Sequence, residues 1–90
     1  ALPICNTAAD GILDDETFDW LPVVQAMHEG HGRPVVAHEP HVLQANELAA
    51  EHTSINPSHT GTAGFAGLLA ARESIGADER VAVIFSGIRR

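Results

Sequence analysis

Apolar residues recur at helical spacing in three stretches of the chain. The first runs through about Glu29, the second begins at about Glu39, and the third spans about Gly61 to Ser74. We predict a helix for each stretch, because this spacing gives a helix one apolar face. Pro22 lies inside the first pattern, so that helix either begins near Asp19, with the proline in its first turn, or bends at the proline.

Two shorter stretches are apolar without interruption, namely Pro34–Ala37 and Val81–Phe85. Runs of this kind are typical of strands that are buried on both faces of a sheet. The expected order is therefore αβααβ, which is an α/β fragment of a three-layer sandwich. Two short strands are marginal by themselves, so we expect them to need partner strands from another chain or a missing segment. Residues 1–90 are expected to form a single unit, with residues 1–13 as a loop or extended tail.

Glycine recurs every third residue at Gly61, Gly64 and Gly67. On a helix, these positions lie on one face, and the missing side chains allow another backbone or a flat ligand to come close. Thr60 is a candidate N-cap for this helix. We also expect free N–H groups and a partial positive charge at the helix start.

Charge and composition exclude several classes of function. The net charge of −7 argues against nucleic acid and anionic membranes, since both attract clustered basic residues. Cys5 is the only cysteine and cannot form an internal disulfide, which favours a reducing, cytoplasmic setting. No stretch of about 20 apolar residues indicates a membrane span. Since the chain starts at Ala1 rather than Met, a processed or truncated chain is one expectation.

His59–Leu69, the apolar run Val81–Phe85 and the turn Ser86-Gly87 form an ordered set of motifs. This set resembles the carboxy-terminal end of fold-type II pyridoxal-phosphate enzymes, the tryptophan synthase β superfamily, and is most similar to threonine synthase or threonine dehydratase. The resemblance implies that Ser86 and Gly87 form the turn whose hydroxyl contacts the pyridine nitrogen of the cofactor. It also implies that Thr60 and Gly61 line the cavity for cofactor and substrate.

The resemblance implies a lyase or synthase that acts on hydroxy-amino acids or their phosphate esters by elimination or replacement at the β- or γ-carbon. Such an enzyme needs a lysine that binds the cofactor covalently. The five basic residues of this chain are all arginines, and it has no glycine-rich phosphate loop. We therefore expect the isolated chain to be inactive. The remainder of the enzyme or a partner subunit, in a homo-oligomer, would supply the lysine. Members of these enzyme families often carry Glu-Pro where this chain has Ser58-His59, so the resemblance does not define the substrate contacts at these positions.

Other interpretations stay open beside this one. The chain could be a non-catalytic α/β assembly module that oligomerises through strand edges and its Phe18 and Trp20 side chains. Ser86-Gly87 could be only a turn after a strand, and the glycines could serve packing alone. The histidine pairs at 28/31 and 38/41 have a spacing that can serve zinc. Without accompanying cysteines, however, we expect exposed histidines and no metal site.

Overall fold

The computed structural model describes residues 7–12 and 19–89. Three α-helices follow each other along the chain: α1 at Trp20–Glu29, α2 at Glu39–His52 and α3 at Ala63–Ala71. Short 3-10 turns lie at Asp10–Ile12 and, directly after α3, at Arg72–Ser74. All three helices were predicted from the apolar spacing, and α3 begins two residues later than expected.

The prediction of an α/β fold was wrong: residues 7–12 and 19–89 contain three helices and no β-strand. Residues 34–37 and 81–85 pair with no neighbouring strand, and the bridge between Pro57 and Ile88 is isolated. A strand exists only where another strand accepts and donates its backbone hydrogen bonds. Nor are these segments buried, since Val36 and Ile84 are 76% and 82% exposed. An apolar run alone therefore does not determine whether a segment is buried or pairs with another strand.

The core lies between α2 and α3 and consists mainly of small side chains. Its buried members are Ala9, Val42, Ala45 and Ala66, and Phe65 and Leu69 pack against them. Alanine side chains let the two helices approach closely, but each buries little apolar area. Ala9 joins this core from outside the helices, so the segment 7–12 is anchored on the α2–α3 pair.

The helix α1 begins at Trp20 with Pro22 in its first turn, which was the first of the two alternatives. It ends in a Schellman motif, in which the Gly32 N–H donates to the Met27 carbonyl at 2.7 Å and the His31 N–H to the His28 carbonyl at 3.4 Å. His31 takes the left-handed conformation at φ 56° that glycine usually supplies. A non-glycine residue there is a local strain.

The helix α2 begins at Glu39 with Pro40 in its first turn, as the sequence predicted. Its start is closed by a reciprocal capping box of two histidines. The His38 N–H donates to His41 Nδ1 at 3.3 Å, and the His38 side chain accepts from the backbone of His41. The three-residue spacing of this pair therefore serves a helix cap.

Several predictions concern residues outside the described ranges, among them Phe18, Cys5 and part of the expected tail 1–13. Trp20 is described and is 58% exposed, so it is not part of the core between α2 and α3. Among the described residues, no helix has the length and apolar character needed to cross a bilayer.

Candidate functional site

The turn before α3 and the segment after residue 85 meet at two glycines. A Cβ on Gly61 would collide with the Gly87 carbonyl oxygen and would lie 2.8 Å from the Gly87 nitrogen. Only glycine at position 61 permits this approach of two backbones. A second backbone does come close to Gly61, as predicted, but Gly61 lies in the turn before α3 and not on a helix face.

Backbone hydrogen bonds fix this contact on both sides. The Ser86 N–H donates to the Gly61 carbonyl at 3.1 Å, and the Ser58 N–H donates to the Gly87 carbonyl at 3.2 Å. One step further out, the Arg89 N–H donates to the Asn56 carbonyl at 2.9 Å. We call residues 56–62 and 86–89, together with Asn46, the junction. Gly61 therefore lies beside Ser86 and Gly87, although 23 residues separate Thr62 from Ser86 in the chain.

Asn46 links α2 to both segments of the junction. Its amide group is buried, with 5% of the residue exposed, and Nδ2 donates to the Pro57 carbonyl at 2.9 Å. Its Oδ1 accepts a hydrogen bond from Arg89 Nη2 at 3.0 Å. Sequence reasoning placed Asn46 on a helix but missed this role. A polar residue among the apolar positions of α2 was the available signal, because a buried amide needs partners.

The N–H groups of the turn that leads into α3 donate within the chain, so the expectation of free N–H groups at Thr60 and Gly61 does not hold for Gly61. Gly61 N–H donates to Ser58 Oγ at 3.0 Å, and Thr62 N–H donates to the Ser58 carbonyl at 3.1 Å. Thr62, not Thr60, is the N-cap residue, and its side chain is fully buried. The helix starts later than predicted because this serine-centred turn holds residues 58–62.

Thr60 contacts the segment 7–12 through its hydroxyl. The Gly11 N–H donates to Thr60 Oγ1 at 3.0 Å, and a Cβ on Gly11 would lie 2.8 Å from the same oxygen. The Ala8 N–H donates to Glu39 Oε1 at 2.7 Å. The Thr60 hydroxyl thus uses one acceptor position on Gly11.

The Glu39 carboxylate holds the other end of the segment 7–12. The pKa of Glu39 is lowered, first by a hydrogen bond from the Thr7 side chain, then by the Ala8 N–H and by the charge of His59. Each of these partners stabilises the ionised carboxylate. The segment 7–12 is therefore fastened to an ionised group at neutral pH.

The two glycines of α3, Gly64 and Gly67, differ in their contacts. A Cβ on Gly64 would lie 3.8 Å from the Ile84 carbonyl oxygen, which is an ordinary contact. At Gly67, no described atom lies within 4 Å of such a Cβ. Phe65 stacks on Phe85, with ring centroids 6.2 Å apart. The segment 81–87 thus lies beside Gly64 and Phe65 and does not reach Gly67.

All four predicted cofactor residues lie at the junction. Ser86 is exposed, and its backbone N–H rather than its hydroxyl bonds to Gly61, so the hydroxyl is accessible to a ligand. Gly61 is buried against the Gly87 backbone and so positions the turn at Ser86, while the Thr60 hydroxyl accepts a hydrogen bond from Gly11. The described residues thus offer a hydroxyl for a pyridine nitrogen, but no cationic cradle for a phosphate. Within this part of the chain, no three metal-binding side chains form a cluster.

No family model, no curated protein and no solved structure matches this chain. The resemblance to pyridoxal-phosphate enzymes stays a prediction, and the class supported by the described residues is a small all-helical domain.

Proposed function

We propose that the chain forms one wall of a pyridoxal-phosphate site in a lyase or synthase that acts on hydroxy-amino acids or their phosphate esters. The observation that carries the proposal is the contact of Gly61 with Gly87, with the Ser86 N–H on the Gly61 carbonyl. It joins the two motifs that the resemblance assigns to one cofactor.

The contribution of this chain is the hydroxyl of Ser86, together with the flat backbone beside it. Pyridoxal phosphate, when bound, supplies an electron sink for reactions at the carbons of amino acids. A neutral hydroxyl can hydrogen-bond the pyridine nitrogen without holding a proton on it, which weakens that sink. A weaker sink suits elimination and replacement reactions at the β- and γ-carbons.

Two further parts of the site must come from a lysine-bearing partner. The chain contains no lysine, and the N–H groups of Gly61 and Thr62 donate internally, so neither is available to a phosphate. The proposed partner is the remainder of the enzyme or another subunit that supplies the lysine and the phosphate loop. The isolated chain should therefore bind the ring weakly and catalyse nothing.

A titration with pyridoxine 5′-phosphate, followed by amide NMR, tests this proposal on the chain alone. This analogue carries an alcohol in place of the aldehyde and cannot react with the amino terminus. We expect shifts at Gly61, Ser86 and Gly87. The variant Ser86→Ala should weaken binding about fivefold, which corresponds to the loss of one hydrogen bond.

Ser54→Ala is the matched control, because Ser54 is an exposed serine outside the junction. Inorganic phosphate should not compete with the analogue. Shifts that map elsewhere, or equal binding by wild type and Ser86→Ala, would contradict the proposed role of Ser86.

One observation favours a second candidate, an assembly module that pairs with a second copy through α1. None of the ten residues of α1 is buried, and Trp20, Val23 and Val24 are between 48% and 58% exposed at helical spacing. A stable interface needs about 800 Å² from each partner, and an exposed apolar helix face can contribute to it.

Sedimentation analysis with intact mass measurement separates the two candidates. A dimer of this chain that Trp20→Ser converts to monomers, while Gln25→Ser does not, would support the assembly module. A larger lysine-containing chain that co-purifies would support the enzyme. A monomer without partners would contradict self-association.

A further inference from the structure

The start of α2 is capped by two imidazole rings in place of the usual hydroxyl and carboxyl or amide groups. His41 Nδ1 accepts the His38 N–H at 3.3 Å, and the His38 ring accepts from the His41 backbone. A standard capping box uses serine or threonine with glutamate or glutamine, and none of these side chains changes its charge near neutral pH. Histidine gains a proton between about pH 8 and pH 5. The acceptors of this cap therefore depend on pH.

A proton on either ring removes an acceptor from the cap. A protonated imidazole carries an N–H on both nitrogens and accepts no hydrogen bond. Two further effects act in the same direction. A positive charge is unfavourable at the positive end of a helix, and two charged rings with centroids 6.2 Å apart repel each other. His38 is exposed and His41 is partly exposed, so both rings can exchange protons with solvent.

The cap lies next to the carboxylate that holds the segment 7–12. Glu39 is the first residue of α2, directly after the N-cap, and its Oε1 accepts the Ala8 N–H at 2.7 Å. Because the cap fixes the first turn, its opening frees the backbone that positions this carboxylate. At the other end of the segment, the Gly11 N–H donates to Thr60 Oγ1 at 3.0 Å. Neither of those two groups titrates near neutral pH, so that end should hold.

The other titratable groups near the cap differ from it in pH range or in sign. The segment 7–12 carries Asp10, and the turn before α3 carries His59. Carboxyl groups ordinarily titrate near pH 4, below the range of histidine. The lowered pKa of Glu39 keeps its carboxylate ionised until the pH falls below 4.5. The charge of His59 favours that ionised carboxylate, so a proton on His59 strengthens the attachment of the segment.

We propose that the two-histidine cap of α2 is a pH switch, which holds the Ala8 end of the segment 7–12 on Glu39 above about pH 7 and loosens it below about pH 6. The neutral rings close the cap. The attachment is therefore complete above the range in which histidine titrates and is lost as the pH falls through that range. The switch does not depend on the proposed cofactor.

Amide hydrogen exchange followed by NMR between pH 8 and pH 5 tests the switch. Each rate is divided by that of an unstructured peptide at the same pH, which removes the intrinsic pH dependence of exchange. We expect the protection of Ala8 and of Val42, whose N–H donates to the His38 carbonyl in the first turn, to fall about fivefold across this range. That loss is the size expected for one helix cap. The protection of Gly11 should stay unchanged.

Variants assign the effect to the cap. The double variant His38→Ser/His41→Gln rebuilds a capping box whose acceptors do not titrate in this range, so the protection of Ala8 should stay constant from pH 8 to pH 5. His52→Gln, at the far end of α2, and His59→Gln are the controls and should keep the pH dependence of the wild type. An equal loss of protection in the double variant and in the wild type would overturn the proposal.

The wild-type chain alone decides the question if the double variant folds poorly. The loss of protection at Ala8 should have the same midpoint as the titration of the His41 ring signals. No loss above pH 5, a midpoint that differs from that of the ring, or an equal loss at Gly11 would overturn the proposal.

Discussion

The junction and the helix α1 differ in which side chains they bury. At the junction, small and polar residues such as Gly61, Thr62 and Asn46 are buried and hydrogen-bonded. In α1, Trp20, Leu21 and Val24 are about half exposed, and among the described elements α1 does not pack on another helix. The largest apolar side chains therefore do not mark the best-packed region of this chain.

This difference shows what holds the chain together. Burial of apolar area contributes in proportion to that area, and the core of alanines and one valine supplies little of it. Buried polar groups contribute differently, because losing one partner leaves the other unsatisfied. We therefore expect substitutions at the junction to cost more stability than substitutions in α1.

The largest expected loss of stability is at Gly61. Gly61→Ala places a Cβ against the Gly87 backbone and should lower the free energy of unfolding by about 3 kcal/mol, at the upper end for overpacking. Gly67→Ala is the control, with Gly67 inside α3 and Gly61 in the turn before it. This control substitution meets open space and should raise stability by up to about 1 kcal/mol. Urea unfolding measures both, and equal effects would remove the special role of Gly61.

A smaller loss is expected at Asn46. Asn46→Ala leaves the Pro57 carbonyl and the Arg89 guanidinium without their partner and should cost about 2 kcal/mol. The exposed neighbour Gln44 provides the control, because Gln44→Ala should stay within about 0.5 kcal/mol. If both variants unfold at the same urea concentration, the buried amide does not support the junction.

A substitution at the end of α1 is expected to raise stability. His31→Gly removes the strain of a side chain at φ 56° and should stabilise α1 locally by about 1 kcal/mol. Because α1 packs on no other described helix, amide exchange should slow within α1 and stay unchanged at the junction. His28→Gly, inside the helix, should speed that exchange. Equal slowing in both regions would show that they unfold together.

The smallest expected effect is on the pH dependence of stability, through the attachment of the segment 7–12 to Glu39. The pKa of Glu39 lies below its ordinary value of 4.5, so its stabilisation is complete above that value and is lost as pH falls through the lowered pKa. The midpoint of thermal unfolding should fall with acidification, and less so in Glu39→Gln. Glu47→Gln on the same helix should keep the full pH dependence. Identical profiles for Glu39→Gln and wild type would contradict the attachment.

Local signals in the sequence predicted the helices well. Pro22 lies in the first turn of α1, which was one of two alternatives, α2 begins at Glu39 as predicted, and the glycine at position 61 admits a second backbone. These outcomes depend on neighbouring residues and on backbone geometry, both of which a sequence displays. The four predicted site residues also lie together, although their role as a cofactor site stays a proposal.

The predicted strands failed for a different reason. Val81–Phe85 has the composition of a buried strand, but pairing depends on a neighbour that the described chain does not provide. The role of Asn46 and the serine-centred turn before α3 were missed because their partners are distant in sequence or compete with helix capping. The left-handed conformation of His31 was missed because the glycines on either side of it are the residues that usually adopt it.

Residue-resolved amide hydrogen exchange tests the contrast between the two regions most directly. We predict strong protection at the N–H groups of Ser58, Ser86 and Arg89, which donate across the junction, and fast exchange throughout α1. Fast exchange at these three amides, with protection of Val24 to Glu29, would contradict the account. The junction could then not be the stable framework on which the proposed site depends.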